Sequence, residues 1–155
     1  MAKVVNSINS VNLSSSFRTI VATCNYLGIQ AVRLGYMWSN TATDPRCPDT
    51  LFCWMPKKHG KWNNQLNPTG TVWEEMPISP PNRQSVQDHL NEWLGKSHLK
   101  KVLFVKNKRF GDNDYHFIGV FVMDVQASKT AGHCVWKRIK SDTNLRHYEK
   151  SSPYK

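Results

Sequence analysis

Two near-continuous apolar strings dominate this chain: Lys101–Lys106 (KVLFVK) and Tyr115–Val125 (YHFIGVFVMDV). A strand with one wet face alternates apolar and polar residues. Val102–Val105 and Phe117–Met123 do not alternate, so each must be covered on both faces or curled into a barrel. The connector Asn107–Asp114 between them carries Gly111 and Asn113, residues that suit a hairpin. With 155 residues the chain can bury one such core and not two. We therefore expect a single domain over residues 1–155, flexible at 1–13 and 150–155.

Around these strings the local signals are mixed. Ser14, Ser15 and Ser16 precede Phe17, Ile20, Val21, Cys24 and Leu27, and Gly28 follows. That stripe predicts a helix over about 15–27, against the preference of β-branched Thr19, Val21 and Thr23. Val86, Leu90, Trp93 and Leu94 share one face before Gly95, which predicts a second helix over Arg83–Leu94. Strands are expected at Gln30–Trp38, Leu51–Met55, Thr71–Glu74 and His133–Ile139. Asn40–Pro48 and Pro56–Gly70 read as loops, and Pro77–Pro81 as a connector. Short strands, two helices and a hairpin make an α+β domain with a mainly antiparallel or mixed sheet.

Charge narrows the function. The net charge is +10. Residues 1–56 hold four basic against two acidic residues, and residues 57–155 hold seventeen against nine. So basic a surface attracts polyanions. Within the basic half, the stretch Leu51–Trp73 interleaves Trp54, Trp62 and Trp73 with Lys57, Lys58, His59 and Lys61. Bases stack on indole rings and phosphates pair with lysines, so nucleic acid is the expected ligand. A flipped base needs flat faces and polar edges. Tyr36, Trp38, Trp54, Trp62 and Tyr115 could supply faces; Asn63 and His116, with Asn40, Asp44 and Asn64, could supply edges. Phosphate candidates are Lys57, Lys58, Lys61, Arg83, Lys106, Lys108, Arg109, Lys137, Arg138 and Lys140. Trp93 and Trp136 are expected in the core.

Enzyme signatures are missing. There is no deaminase HxE with PCxxC, no GxSxG, no P-loop and no GxGxxG. Asp112 and Asp114 fall in the hairpin connector and Glu74-Glu75 beside Met76-Pro77, neither with a lysine partner that the sequence reveals. Asp88, Glu92 and Lys96 are spaced for helix-surface ion pairs. Cys47, Cys53 and His59 are too widely spaced for structural zinc, and Cys24, Cys47, Cys53 and Cys134 suit free thiols. We expect no catalytic residue, metal or cofactor. The segment MAKVVNSINSVNLSSS lacks the apolar core of a secretion signal, and the longest apolar run is too short to span a bilayer. The expected setting is intracellular, cytoplasmic or nuclear, with no membrane partner.

The order of motifs in the second half is also familiar. Trp73-Glu74-Glu75-Met76-Pro77-Ile78-Ser79-Pro80-Pro81 is followed by a helix, then by Leu103-Phe104-Val105-Lys106, Tyr115-His116-Phe117-Ile118-Gly119 and the basic Trp136-Lys137-Arg138. Residues 73–140 thus resemble PUA-like modules of the SRA, EVE and ASCH branches, which occur attached to restriction enzymes and restriction-type helicases. The resemblance implies a small, strongly bent, mainly antiparallel β-barrel with flanking helices, its glycine permitting tight curvature. It also implies a reader of nucleic acid, often of a modified or flipped base; with the aromatic and basic residues above, we expect DNA more than RNA and an aromatic slot for the base. Such a reader serves as the specificity module of a restriction or defence system, beside a nuclease or helicase partner. Two other readings stay open: a small metal-dependent nuclease, and a phage or defence protein–protein module whose aromatics form a hot spot.

Overall fold

The two apolar strings become central strands of one bent sheet. A computed structural model describes residues 8–29, 32–33, 41–56, 62–77 and 83–143, with backbone alone at 32–33, 62–63, 76–77 and 83–85. In chain order the elements are β1 (Ser16–Phe17), α1 (Ile20–Leu27), β2 (Val32–Arg33), β3 (Thr41–Thr43), β4 (Thr50–Met55), β5 (Trp62–Leu66), β6 (Val72–Pro77), α2 (Arg83–Leu94), β7 (Lys100–Val105), a 3-10 turn (Lys108–Phe110), β8 (Tyr115–Met123), α3 (Val125–Ala131) and β9 (Val135–Lys140). The strand order is β2-β3-β4-β7-β8-β9-β6-β5, with β1 beside β8. Neighbours run antiparallel except β4 and β7, which are parallel because β5, β6 and α2 intervene between them. The α+β class and the mainly antiparallel sheet are as expected. Among the described strands β2 and β5 end the path unpaired with each other, so the sheet bends without closing.

Burial on both faces explains the unbroken apolar strings. Phe52, Trp54, Val102, Phe104 and Phe117 point to a cluster that also takes Val11 and Leu27. Leu51, Cys53, Leu103, Val105 and Ile118 point the other way, to a cluster with Trp73, Leu90, Phe121 and Trp136. β4 and β6 lie four strands apart along the path, yet Cys53 and Trp73 share the second cluster, so the sheet curls around it.

The bend is sharpest in β8. Its one edge pairs with β7. Its other edge pairs with β1 at Tyr115 and His116, and with β9 from Val120 onward. Gly119 sits at the change-over with φ 133, a conformation nearly closed to other residues. A Cβ there would lie 2.4 Å from Arg138 Cδ and 2.9 Å from the Lys140 carbonyl oxygen. Nearby, Val11 and Thr143 exchange hydrogen bonds: the Val11 amide donates to Thr143 Oγ1 and the Thr143 amide to the Val11 carbonyl, both at 3.0 Å.

Several local expectations are corrected. The first helix starts at Ile20, not near 15, because the Thr19 hydroxyl accepts the Ala22 amide as an N-cap at 3.0 Å, while Ser16–Phe17 pair with β8. The expected loops Asn40–Pro48 and Pro56–Gly70 contain β3 and β5, strands made by pairing with β4 and β6 rather than by propensity. The second apolar string does not run to Val125: Asp124 caps α3, its carboxylate accepting the Ala127 amide at 3.1 Å. The α2 and β4 expectations hold, and most of the strand expected at Gln30–Trp38 lies outside the described residues. No helix among the described residues is long and apolar enough to cross a membrane.

The second cluster encloses a charge network that the sequence does not reveal. Glu75 Oε1 accepts Trp136 Nε1–H at 2.6 Å and the Lys101 ammonium at 3.3 Å, and Oε2 lies 3.0 Å from His89 Nε2. The Lys101 ammonium also sits 4.0 Å from the Trp136 ring centroid and 4.2 Å from that of Trp93. Glu75 therefore does have a lysine partner, and the Lys101 and Glu75 side chains are 4% and 9% exposed. Burial alone would push the Glu75 carboxyl up. Lys101, His89 and Trp136 together outweigh it and hold the carboxyl at about 2. Trp93 and Trp136 pack as expected, edge to face at 5.4 Å.

Candidate nucleic-acid interface

A cleft of about 40 Å³ opens where β4 and β7 end and β5, β6 and β8 bend over them. Met55, Leu66, Trp73, Val105 and Ile118 give it an apolar wall; Asn64, Lys106 and Asn107 are its polar groups. It has room for a few water-sized groups, so a flat ligand would offer it an edge rather than be enclosed by it.

Asn64 is the group in this wall whose chemistry is incomplete. Its Nδ2 donates to the Met55 thioether at 3.4 Å, a weak acceptor, while its Oδ1 is buried and, among the described residues, has no hydrogen-bond partner. Whichever way round the amide is placed, one of its atoms lacks a strong partner. A buried unmet acceptor costs about 1–3 kcal/mol, which a donor on a ligand would recover.

Two arginines lie beside the cleft. Lys106 lines it too, but its ammonium lies 4.5 Å from the Tyr115 ring centroid, on the opposite face of the sheet. Arg109 forks onto the β5–β6 turn, donating to the Leu66 carbonyl at 2.5 Å and the Asn67 carbonyl at 2.8 Å. Arg138 lies across Gly119 and donates to the Ile118 carbonyl at 3.4 Å. Both arginines are thus tied to backbone of residues that line the cleft. Lys108, Lys137 and Lys140 are exposed.

The structure does not assemble the expected base slot from Trp54 and Tyr115. Trp54 is 1% exposed and stacked on Phe104, ring centroids 5.5 Å apart. Tyr115 is 7% exposed and belongs to the same cluster, on the face of the sheet opposite the cleft wall. Strand alternation explains this: Trp54 follows Cys53, whose side chain takes the cleft-side core. His116 is turned toward its own loop, with Nε2 2.8 Å from both Asp112 oxygens and its ring stacked 4.2 Å from Phe110. Trp62 and Asn63 lie in β5 and Arg83 opens α2, each described as backbone. Tyr36, Trp38, Lys57, Lys58 and Lys61 lie outside the described residues.

The widely spaced Cys47-Cys53-His59 set does not converge either. Cys47 belongs to the first cluster and Cys53 to the second, on opposite faces of the sheet, and His59 lies outside the described residues. No disulfide joins any of the four cysteines, and burial pushes Cys47, Cys53 and Cys134 up to about 12.

Comparison with known proteins fits this architecture. A solved structure named the 5-hydroxymethylcytosine-specific restriction enzyme AbaSI matches with a TM-score of 0.64 and 22% identity, over 87% of this chain and 42% of that one. The likeness is one of fold, and this chain spans less than half the length of that enzyme. A search of curated proteins finds no match. The family model of the SET and RING associated domain matches residues 8–145, taking in the N-terminal elements as well as the stretch 73–140 that resembles PUA-like modules. With that span matched, the chain belongs to the SET and RING associated, or SRA, domain family.

Proposed function

We propose that the chain is a DNA-binding reader, one domain over its length, that recognises a modified base and has no catalytic role of its own. The observation that carries this reading is the unmet Asn64 amide, among the described residues, in a cleft with Arg109 and Arg138 held against its wall. An amide that lacks a donor partner suits the exocyclic amine of cytosine or adenine, and the cations suit the phosphates beside it. Membership of the SRA family and the fold shared with a 5-hydroxymethylcytosine-specific restriction enzyme support a modified cytosine as the base. Lys108 and Lys137 extend the phosphate track, with Lys57, Lys58, Lys61 and Arg83 as further contacts. Trp62, in the same strand as Asn64, supplies a stacking face, and Tyr36 and Trp38 are the other aromatic candidates. The reader works inside the cell, in a restriction or defence system, and directs a nuclease or helicase partner.

Fluorescence anisotropy with short duplexes tests this directly. Duplexes carrying cytosine, 5-methylcytosine or 5-hydroxymethylcytosine at one position should bind with different affinities. Binding should weaken with salt with a log–log slope of about −3 to −6, from counterion release. Asn64→Ala should weaken the preferred modified duplex about tenfold, the worth of one recovered buried hydrogen bond, and leave the salt slope unchanged. Trp62→Ala should cost about 1–3 kcal/mol of binding, the usual worth of base stacking. Equal affinity for all three duplexes in both the parent and Asn64→Ala removes the modified-base reading. A salt slope near zero removes DNA binding itself.

A further inference from the structure

We propose that Glu75, His89 and Cys134 form a binding site for one thiophilic divalent cation, of which Zn²⁺ is the commonest. One donor atom from each lies within 4.8 Å of the other two. The donors come from β6, from α2 and from the residue before β9. A carboxylate, an imidazole and a thiolate are the donor types that zinc takes in three-ligand sites with a fourth position open.

The carboxylate is already divided in a way that leaves room for an ion. Oε1 is taken by Trp136 Nε1 and Lys101, whereas Oε2 faces His89. Cys134 is 0% exposed and, among the described residues, its thiol makes no hydrogen bond. On binding, the Cys134 thiol proton leaves to solvent and the thiolate takes the ion; the proton that Nε2 donates to Oε2 is given up and Nδ1 carries the ring's remaining proton, so that Nε2 and Oε2 both turn to the metal. The His89 side chain is 24% exposed, so it gives the ion and the departing proton a path.

Lys101 sets the selectivity. Its ammonium repels any cation in this pocket, although the Trp93 and Trp136 faces offset part of that charge. An ion that bonds strongly to sulfur overcomes the repulsion. Mg²⁺ and Ca²⁺, which prefer oxygen, do not. The bound ion joins α2 to β6 and to the residue before β9, so it acts as a staple in place of the His89–Glu75 hydrogen bond that links α2 to β6. This site is independent of the cleft and of what the cleft binds.

The test uses the full chain, stripped with a chelator and titrated with Co²⁺. One equivalent should bring a thiolate-to-cobalt charge-transfer band together with visible d–d bands, and Zn²⁺ should displace both. Excess Zn²⁺ at about a hundred times Kd should raise the melting temperature by roughly 5–10 °C, and Mg²⁺ should leave it unchanged. Cys134→Ser should lose the charge-transfer band. His89→Gln, on a helix position that is mostly buried, should fold without metal, its amide replacing the hydrogen bond to Glu75, and weaken Co²⁺ binding by about tenfold or more. The proposal is overturned by absence of the charge-transfer band in the parent chain. It is equally overturned by a band that His89→Gln and Cys134→Ser both retain, which would place the ion on another cysteine.

Discussion

Lys101→Met should cost about 3–5 kcal/mol of folding stability, the usual loss when one member of a buried ion pair is removed. The side chain lengths are similar, so little of this loss comes from a cavity. It comes from Glu75, left in a nearly dry pocket with His89 and Trp136 and without its ammonium. The double variant Glu75→Gln/Lys101→Met should recover much of the loss, because neither charge then needs compensation. Urea unfolding of the three variants checks this; a loss under 1 kcal/mol for Lys101→Met would show that the network contributes little. The acid limb should move with it. The Glu75 carboxyl titrates near 2 in the folded chain against an ordinary value of 4.5. Its contribution is therefore present above about pH 4.5 and is lost as pH falls toward 2. The melting temperature should drop steeply over that window, and less steeply in Glu75→Gln.

Gly119→Ala should cost about 2–4 kcal/mol, the combined scale of a forced positive φ and of local overpacking. The added methyl meets both the flexible Arg138 side chain and the fixed Lys140 carbonyl. Arg138→Ala in the same background should restore only part of the stability, since the carbonyl and the φ of 133 remain. A full rescue would mean that the side-chain contact alone matters. Because Ile118 lines the cleft, the variant should also weaken duplex binding under conditions where it stays folded.

Local patterns in the sequence locate the elements whose burial is one-sided or extreme. The α2 bounds follow from the spacing of Val86, Leu90, Trp93 and Leu94, and β7 and β8 from their unbroken apolar runs. The elements that escape are those held by partners. β5 reads Trp-Asn-Asn-Gln-Leu and owes its strand form to β6. α3, Val-Gln-Ala-Ser-Lys-Thr-Ala, has no apolar stripe, although Asp124 before it and Gly132 after it are a readable pair of caps. Within the candidate site, the charge run stands out in the sequence, but Asn64 does not stand apart from Asn40, Asp44, Asn63 and His116, because asparagine in such a stretch equally suits a turn. The fate of Trp54 is not legible: in a strand buried on both faces, alternation decides which core a ring enters, and the sequence does not say which core has the cleft. The Glu75–Lys101 pair spans 26 residues and two elements, and no spacing rule reaches that far.

The hydrogen bonds between Val11 and Thr143 have a consequence for modular architecture. They hold the segments around Val11 and Thr143, which lie near the first and last described residues, side by side. A body of this kind can be spliced into a surface loop of another protein with little rearrangement of the host. Its ends can equally be joined and the backbone opened elsewhere, for instance at the exposed turn after α2, with every strand pairing kept.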